Sequence, residues 1–356
     1  AMSATRVRCK AETLSKEFGA DPNAGRRWID ALRDSLRIEF VQQSFDEVVF
    51  DMVGVDPPIA NALRRVLLAE VPTMAIDKLY IFNNTSIMQD EVLAHRVGLI
   101  PLKVDPDDFD EMTEGASATD TNTIVFRLSK HVEQSKKPRH ARAGEAKEEE
   151  EEAQDKFLSV YSGALVWQPQ GSQEERFQDR PLGVVHDDIL LLKLKPGQTI
   201  DFEAHAYKGI GKTHAKWSPV STAYYRLLPQ VELTDEVRGD DARELKAKCP
   251  MNVFDIEDMG GDARAVVARP RNCSMCRECI REPHWDRRVR LYRKMDHFLF
   301  HVESTGAVSA RELVVRAARV MAAKCRSVLE ALDAGDAVEG LEALGEIPDE
   351  EEEEEE

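Results

Sequence analysis

The sequence lacks any run of about 18 apolar residues, the length that a helix needs to cross a bilayer. Its first residues also lack the basic-then-apolar pattern of a secretory signal. Both absences predict a soluble, intracellular protein with no membrane contact. In that compartment we expect the six cysteines to stay reduced or to bind metal, because structural disulfides are rare there.

An excess of basic residues is also missing, since the formal net charge is −18. Affinity for a phosphate backbone depends on clustered Lys and Arg, so we expect no direct, specific contact with nucleic acid. Two acidic runs, Glu148–Glu152 and Asp349–Glu356, contain almost no apolar residues. They predict disordered, solvated segments, and a docking tail for a basic partner is the alternative.

No catalytic constellation stands out. The histidines are scattered, and no Ser, Asp and His share a nucleophile-elbow context. Gly211-Lys212-Thr213 resembles the end of a phosphate-binding loop, but Ala206 stands where that loop needs glycine. Pro219 follows where the loop needs a helix. The sequence therefore predicts a turn at this segment, with neither nucleotide binding nor enzymatic activity.

Apolar periodicity predicts a mixture of helices and antiparallel strands. A helix ends near Leu36, two strands cover 36–40 and 48–53, and a second helix begins after Asp56. A short helix covers Asp90 to Arg96. Further strands are predicted at 74–87, 123–128, 158–167, 189–194, 199–206, 224–228 and 296–304. The charged stretch 130–156 is interpreted as a surface insertion.

The clearest helix in the sequence begins near Ser309. Ser309 and Glu312 form a capping-box signature. An apolar stripe then continues over about six turns, through Leu313, Ala317, Val320, Met321, Val328, Leu329 and Leu332. This length exceeds what one small domain usually needs. Two interpretations stay open: part of the stripe faces another chain, or the helix packs entirely within its own core.

Four cysteines form the strongest candidate site. Cys273, Cys276 and Cys279 have C-x2-C-x2-C spacing, and Cys249 is followed directly by Pro250, as the remote ligand of a ferredoxin-type cluster is. Pro283 stands where a two-cluster ferredoxin would place another cysteine, so one cluster at most is expected. Zinc and free thiols are the alternatives. The segment 249–279 has few large apolar residues, so metal loss is expected to unfold it.

Several blocks of the sequence resemble the alpha-like family of RNA polymerase subunits. They are Asn61–Asp77, Asn83–Ser86, Asp90–Leu102 and Lys208–Pro219. Together with the predicted last strand and long helix, the resemblance covers most of residues 36–332. Within the family, the chain is most similar to the branch shared by eukaryotic RNA polymerases I and III, with the archaeal D-type polymerase subunits as near relatives. The polymerase II branch has a zinc site where this chain has 105–122 without cysteine.

The resemblance implies an α+β fold, in which a discontinuous alpha-type dimerisation domain is interrupted by an antiparallel β-rich domain and a small ferredoxin-like, cysteine-bearing segment. The implied parts are an N-terminal extension (1–35), the first part of the dimerisation domain (36–82), the inserted β-rich domain (83–228), the ferredoxin-like segment (229–289), the second part of the dimerisation domain (290–335) and an acidic disordered tail (336–356). It also implies that Cys249, Cys273, Cys276 and Cys279 are ligands of an iron–sulfur cluster.

The function implied by the resemblance is that of a non-catalytic assembly subunit in the nucleus, both nucleolus and nucleoplasm. It would pair with a smaller alpha-like subunit and nucleate docking of the large catalytic subunits for transcription of rRNA, 5S rRNA and tRNA. Arg64 and Arg65 would dock on the second-largest subunit, and other small subunits would join. Leu313, Ala317, Val320, Met321 and Val328 would face the smaller alpha-like partner. The alternatives are an iron–sulfur redox protein and an archaeal D-type polymerase subunit.

Overall fold

The structure is a computed structural model. It describes residues 5–9, 14–18, 28–112, 115, 117–133, 157–258, 260 and 263–333. Most of the predicted surface insertion and the acidic tail lie outside the described residues. Among the helices of the described ranges, none combines the length and the apolar character that a membrane span requires.

The elements follow one another in a mixed order. The first are β1 (Thr5–Cys9), β2 (Leu14–Phe18), α1 (Trp28–Ser35), β3 (Arg37–Gln43), β4 (Glu47–Val53), α2 (Pro57–Ala69), β5 (Thr73–Asn84), α3 (Asp90–Gly98), β6 (Leu102–Lys103), β7 (Ile124–His131), β8 (Leu158–Tyr161) and β9 (Val166–Gln168). The others are α4 (Gln173–Arg176), β10 (Gly183–Val184), β11 (Leu190–Leu194), β12 (Thr199–Gly209), β13 (Val220–Leu233), α5 (Gly239–Lys248), β14 (Phe254–Asp258), β15 (Ala263–Val267), α6 (Pro283–Arg288), β16 (Val289–Ser304) and α7 (Ala310–Asp333).

The first sheet has the order β2-β1-β16-β4-β3, and β13 also pairs with β16. All of these pairings are antiparallel. Helices α2 and α7 cover one face, where Leu67 and Leu313 pack on the aromatic side chains of β4 and β16. The rings of Phe50 and Phe300 stack there with centroids 5.0 Å apart. Long strands and amphipathic helices thus share one core, as their apolar periods predict.

The second sheet has the order β5-β12-β7-β9, with the short pairs β10–β6 and β11–β8 beside it. Its core contains Phe126, Phe202 and, from α3, Leu93. Strand β5 lies within 36–82, the range expected for the first part of the dimerisation domain, yet it pairs with β12 from Thr73 to Asn84. The second sheet therefore begins at β5.

A third unit contains the cysteines. The β14–β15 hairpin, α5 and α6 surround a core that includes Leu245, Phe254 and Trp285. Strands β13 and β16 contribute Val231 and Leu291 to the same core. The sequence of 249–279 alone suggests too few large apolar residues for packing. The described unit nevertheless has a core, because much of it comes from flanking elements.

The ends of two elements differ from their predicted form. Strand β16 begins at Val289, before the predicted start at 296. At the start of α7 the amide of Glu312 donates to Ser309 Oγ over 3.4 Å. The Glu312 carboxylate contacts Arg316 and Arg319. The described contacts of Ser309 and Glu312 thus supply the forward half of a capping box.

The predicted turn after β12 packs against α2. A Cβ placed on Gly211 would come within 2.3 Å of the Leu68 carbonyl oxygen, so only glycine fits this close approach. The amide of Lys212 donates to the Ala69 carbonyl over 2.7 Å. These contacts occupy the backbone groups that a phosphate-binding loop would present to its ligand.

Candidate partner surfaces and cysteine site

The first half of α7 faces the protein's own core. Leu313 is 1% exposed and Ala317 is 0% exposed. Val320 and Met321 are partly buried and pack on the same core. These side chains hold the helix on α2 and on the first sheet. Four of the five helix positions expected to face a partner are therefore covered, wholly or partly, by the chain itself.

The second half of α7 is uncovered. Every residue from Ala323 to Leu332 is exposed. Val328 and Leu329 are each 60% exposed and Leu332 is 53% exposed. At 1.5 Å per residue this stretch extends about 15 Å. Burial ends close to Lys324, whose Nζ lies 2.8 Å from a carboxylate oxygen of Glu70.

A second uncovered apolar surface lies on β3, in which every residue is exposed. Ile38 and Phe40 stand opposite Met52 and Phe50 in the strand register. Cross-strand partners project to the same side, so Ile38 and Phe40 continue the core-facing side of the sheet beyond the helices. They are 48% and 53% exposed. The predicted strand gave no sign of this surface, because exposure depends on which elements pack over β3 in the folded chain.

The two arginines of α2 differ in their contacts. Arg64 is half-buried, and its Nε and Nη2 donate to Asn61 Oδ1 over 3.1 and 2.9 Å. Arg65 is exposed and makes no ion pair with the part of the chain that the structure describes. Asn61 is neutral, so both guanidinium charges remain available at this helix surface. A carboxylate of another chain could accept hydrogen bonds from either guanidinium group.

The four predicted cysteines come together. They line one pocket, whose walls include Val231, Phe254 and Leu291. All four are free thiols; Cys273 and Cys279 are buried, Cys249 is half-buried and Cys276 is exposed.

The tight loop on either side of Cys276 has an unusual backbone. Met275 has φ of 60° and Arg277 has φ of 64°, both in the left-handed region. The local sequence therefore uses two non-glycine residues in a costly conformation, which is common where a loop is held for a ligand.

Burial and mutual proximity disfavour the thiolate forms. Burial, and then the charges of Cys273, Cys249 and Cys276, raise the pKa of Cys279 to about 12. Burial also raises the pKa of Cys273. A soft metal that binds these sulfurs would displace the protons and remove the repulsion between thiolates.

The spacing of the sulfur atoms is wider than a single zinc ion requires. Among the described residues, no three of the cysteine Sγ atoms lie mutually within 4.8 Å. Zn–S bonds of about 2.3 Å in a tetrahedron bring sulfurs to about 3.8 Å of one another. A four-iron cluster spreads its thiolates over separate metal atoms and so accepts a wider set. Thiolates serve as ligands of either centre, so the residues present fit an iron–sulfur cluster, with zinc as the alternative.

A second group of possible ligands lies on the surface of the same unit. Ligand atoms of Glu244, Glu282 and His284 lie within 4.8 Å of one another. The Lys248 ammonium already pairs with Glu282 at 2.7 Å and with Glu244 at 3.3 Å. Because this side chain supplies the positive charge, the group needs no cation.

Comparison with known proteins gives consistent matches. The family model described as the RNA polymerase Rpb3/Rpb11 dimerisation domain matches residues 49–325. The human DNA-directed RNA polymerases I and III subunit RPAC1 is 44% identical over 308 residues, covering 86% of this chain and 87% of the relative. The Dictyostelium discoideum protein named DNA-directed RNA polymerases I and III subunit rpac1 is 43% identical over 310 residues, covering 86% and 84%. The DNA-directed RNA polymerase II subunit rpb3 of Dictyostelium discoideum is 30% identical over 310 residues, covering 84% and 96%.

Proposed function

Because this chain belongs to the RNA polymerase Rpb3/Rpb11 dimerisation family, we propose that it serves as the larger alpha-like subunit shared by RNA polymerases I and III. Its role is non-catalytic assembly, as a heterodimer with an alpha-like partner in the nucleus. The observation that carries the proposal is the higher identity to the shared subunits than to the polymerase II subunit over similar lengths. The two alternatives, an archaeal D-type polymerase subunit and an iron–sulfur redox protein, explain these relatives less well.

The smaller alpha-like partner is proposed to cover two apolar surfaces of the dimerisation region. One is the second half of α7, with Val328, Leu329 and Leu332; the other is the exposed side of β3, with Ile38 and Phe40. Both continue a buried core outward, so a partner with a matching sheet and helix would extend that core across the interface. This places the helix contact farther along α7 than Leu313 and Ala317.

Docking of the second-largest polymerase subunit is proposed at α2, through Arg64 and Arg65. Their charges have no carboxylate partner in the contacts of the described chain, and guanidinium forks suit carboxylates of an interface. Other small subunits would join the assembled platform. Nucleolar residence, alongside the nucleoplasm, follows from a role in rRNA transcription.

The four-cysteine pocket is proposed to hold a single iron–sulfur cluster, in a ferredoxin-like segment, with zinc as the rival. Cys249, Cys273, Cys276 and Cys279 would be the ligands. The cluster would cross-link the ends of a long loop and stabilise the unit in the absence of any redox partner. Iron, sulfide and zinc assays on anaerobically purified chain and on Cys276→Ser test this, and protein without either metal would refute it.

A co-expression pull-down tests the assembly role. Tagged chain should recover the smaller alpha-like subunit together with the largest subunits of polymerases I and III, without that of polymerase II. Arg64→Ala with Arg65→Ala should lose the second-largest subunit and keep the alpha-like partner. Arg238→Ala with Arg243→Ala removes two exposed arginines from the cysteine-bearing unit and serves as the charge-matched control. Recovery of polymerase II alone would contradict the assignment.

A further inference from the structure

The loop that carries Cys273 is fastened to the first sheet by an arginine. Arg271 lies in the short 3-10 turn Pro270–Asn272, directly before Cys273. Its Nη1 donates to Asp51 Oδ2 over 2.8 Å, and its Nη2 donates to Asp51 Oδ1 over 2.7 Å. This is a two-bond fork, the strongest and most directional form of an arginine–carboxylate pair.

Asp51 is built into β4 to receive this contact. Phe50 beside it points into the core under α2 and α7, so Asp51 projects from the opposite face of the sheet. Asp51 is 6% exposed, and His297 Nε2 lies 2.9 Å from its Oδ2. Burial alone would raise the pKa of Asp51, but hydrogen bonds from Arg271 and His297 outweigh it and lower that pKa. The Asp51 carboxylate is therefore charged, and both of its oxygens have hydrogen-bond partners.

A second arginine holds the main chain of the same loop. Arg226 of β13 donates from Nη2 to the Arg271 carbonyl over 2.7 Å. It also donates from Nη1 to the Cys273 carbonyl over 3.2 Å. The residues from 271 to 273 are thus tied to two strands of the first sheet, once through a side chain and twice through carbonyl oxygens.

Arg269, two residues earlier, makes a different set of contacts. Its Nη2 lies 3.3 Å from Asp255 Oδ2, and its Nε donates to the Asn252 carbonyl over 2.8 Å. Both partners belong to the cysteine-bearing unit itself. Arg269 therefore holds the loop to its own unit, and Arg271 holds it to the first sheet.

We propose that Asp51 and Arg226 are positioning residues for the four-cysteine site. Asp51 holds the loop through the Arg271 side chain, and Arg226 holds it through the carbonyls of Arg271 and Cys273, so Cys273 is kept in place from the first sheet before any metal binds. The inference rests on the proposed metal site. Outer partners that orient a ligand typically change metal affinity by about 10-fold to 100-fold when removed. Loss of these contacts should displace one of the four ligands, Cys273, so we expect a loss of metal affinity at the lower end of that range.

Cobalt titration of the full-length, reduced apo chain tests the proposal, because thiolate–cobalt absorption reports both affinity and geometry. Asp51→Asn and Arg271→Gln should each weaken binding about 10-fold and change the absorption band. The double variant should lose no more than either single variant, since both act through one contact. Arg243→Gln, at an exposed arginine of the same unit that pairs with Asp240 over 2.6 Å, is the matched control and should stay within about twofold of the parent chain. Additive losses in the double variant would overturn the proposal.

Alkylation of the apo chain separates this inference from the metal proposal. Iodoacetamide labelling of Cys273, followed by mass spectrometry, should be about tenfold faster in Asp51→Asn and Arg271→Gln. The reason is that the loop around the buried thiol should open to solvent more often. Arg271→Lys, which keeps the charge and loses the fork, should be intermediate. A parent chain that binds neither cobalt nor, on anaerobic reconstitution, iron and sulfide would refute the metal site, and the labelling rates would still show whether Asp51 and Arg271 hold Cys273. An unchanged rate of Cys273 labelling in folded variants would refute the proposal that Asp51 and Arg271 hold Cys273 in place.

Discussion

The two halves of α7 have the same kind of sequence and opposite surroundings. In the first half, Leu313 and Ala317 are sealed beneath the helix against the first sheet. In the second half, Leu329 and Leu332 carry the same stripe into solvent. An apolar stripe on its own therefore cannot tell whether a helix covers its own core or waits for another chain. Whether a given turn of the helix is buried depends on whether the first sheet extends beneath that turn.

Leu313→Ala should produce the largest effect on the isolated chain. Truncating a fully buried leucine removes apolar burial and leaves a cavity, which costs about 3 kcal/mol of unfolding free energy. Leu329→Ala is the matched control, because the same truncation at an exposed site of the same helix should cost less than about 0.5 kcal/mol. Urea unfolding measures both. Equal losses at the two sites would mean that both halves are buried.

Replacing Val328, Leu329 and Leu332 together with serine should reverse that pattern. We expect an unchanged unfolding free energy and a loss of about 2 kcal/mol in affinity for the alpha-like partner, roughly 30-fold in Kd. The control is the double variant Ile87→Ser with Val166→Ser. These two side chains are 82% and 58% exposed at the second sheet, and their replacement should leave the affinity unchanged. Calorimetry with co-purified partner gives the measurement. Full affinity in the triple variant would move the interface elsewhere.

Acid should weaken the sheet under the first half of α7. The folded pKa of Asp51 is lowered below 3.8, mainly because hydrogen bonds from Arg271 and His297 outweigh burial. Its contribution is therefore complete above the unfolded pKa and is lost as the pH falls through the folded pKa. Glu39 stands opposite Asp51 on β3 and adds a second carboxylate to this face. Urea midpoints from pH 6 to pH 3 should fall less steeply in Asp51→Asn.

Lys324→Ala should give the smallest effect. This side chain pairs with Glu70 at the point where the buried half of α7 ends, and the two side chains are 60% and 27% exposed. Exposed pairs contribute under about 1 kcal/mol, and salt screens them. Thermal unfolding at low and high salt should show a small loss that salt abolishes. A loss as large as that of Leu313→Ala would place the boundary between the halves later in the helix.

Elements with a strong local pattern could be predicted from sequence. The stripe of α7, the apolar face of α2 and the strand at 48–53 all have the period of their structure. The four cysteines singled out by their spacing line one pocket, and their role as ligands stays a prediction. The β14–β15 hairpin escaped prediction because Phe254–Asp258 and Ala263–Val267 have only five residues each, and the first of them is rich in charge. The start of β16 escaped because Arg290, Arg293 and Lys294 interrupt its apolar pattern.

Contacts between distant segments could not be predicted in this way. Asp51 and Arg271 are 220 residues apart, and each has an ordinary local sequence. Only the sheet register, which puts Asp51 on the face opposite Phe50, brings them together. Likewise, the exposure of Ile38 follows from the tertiary cover over β3 and has no local signal.

Strand β16 lies between β1 and β4 in the first sheet and also pairs with β13, although it is the last strand of the described ranges. A ribosome makes β3 and β4 long before it makes β16. Until then the β3–β4 hairpin lacks its central neighbour, and a lone two-stranded hairpin is marginally stable at best. Closure of this sheet therefore waits until Val289–Ser304 has been made, which slows folding and leaves apolar strand surface open to chaperones during synthesis.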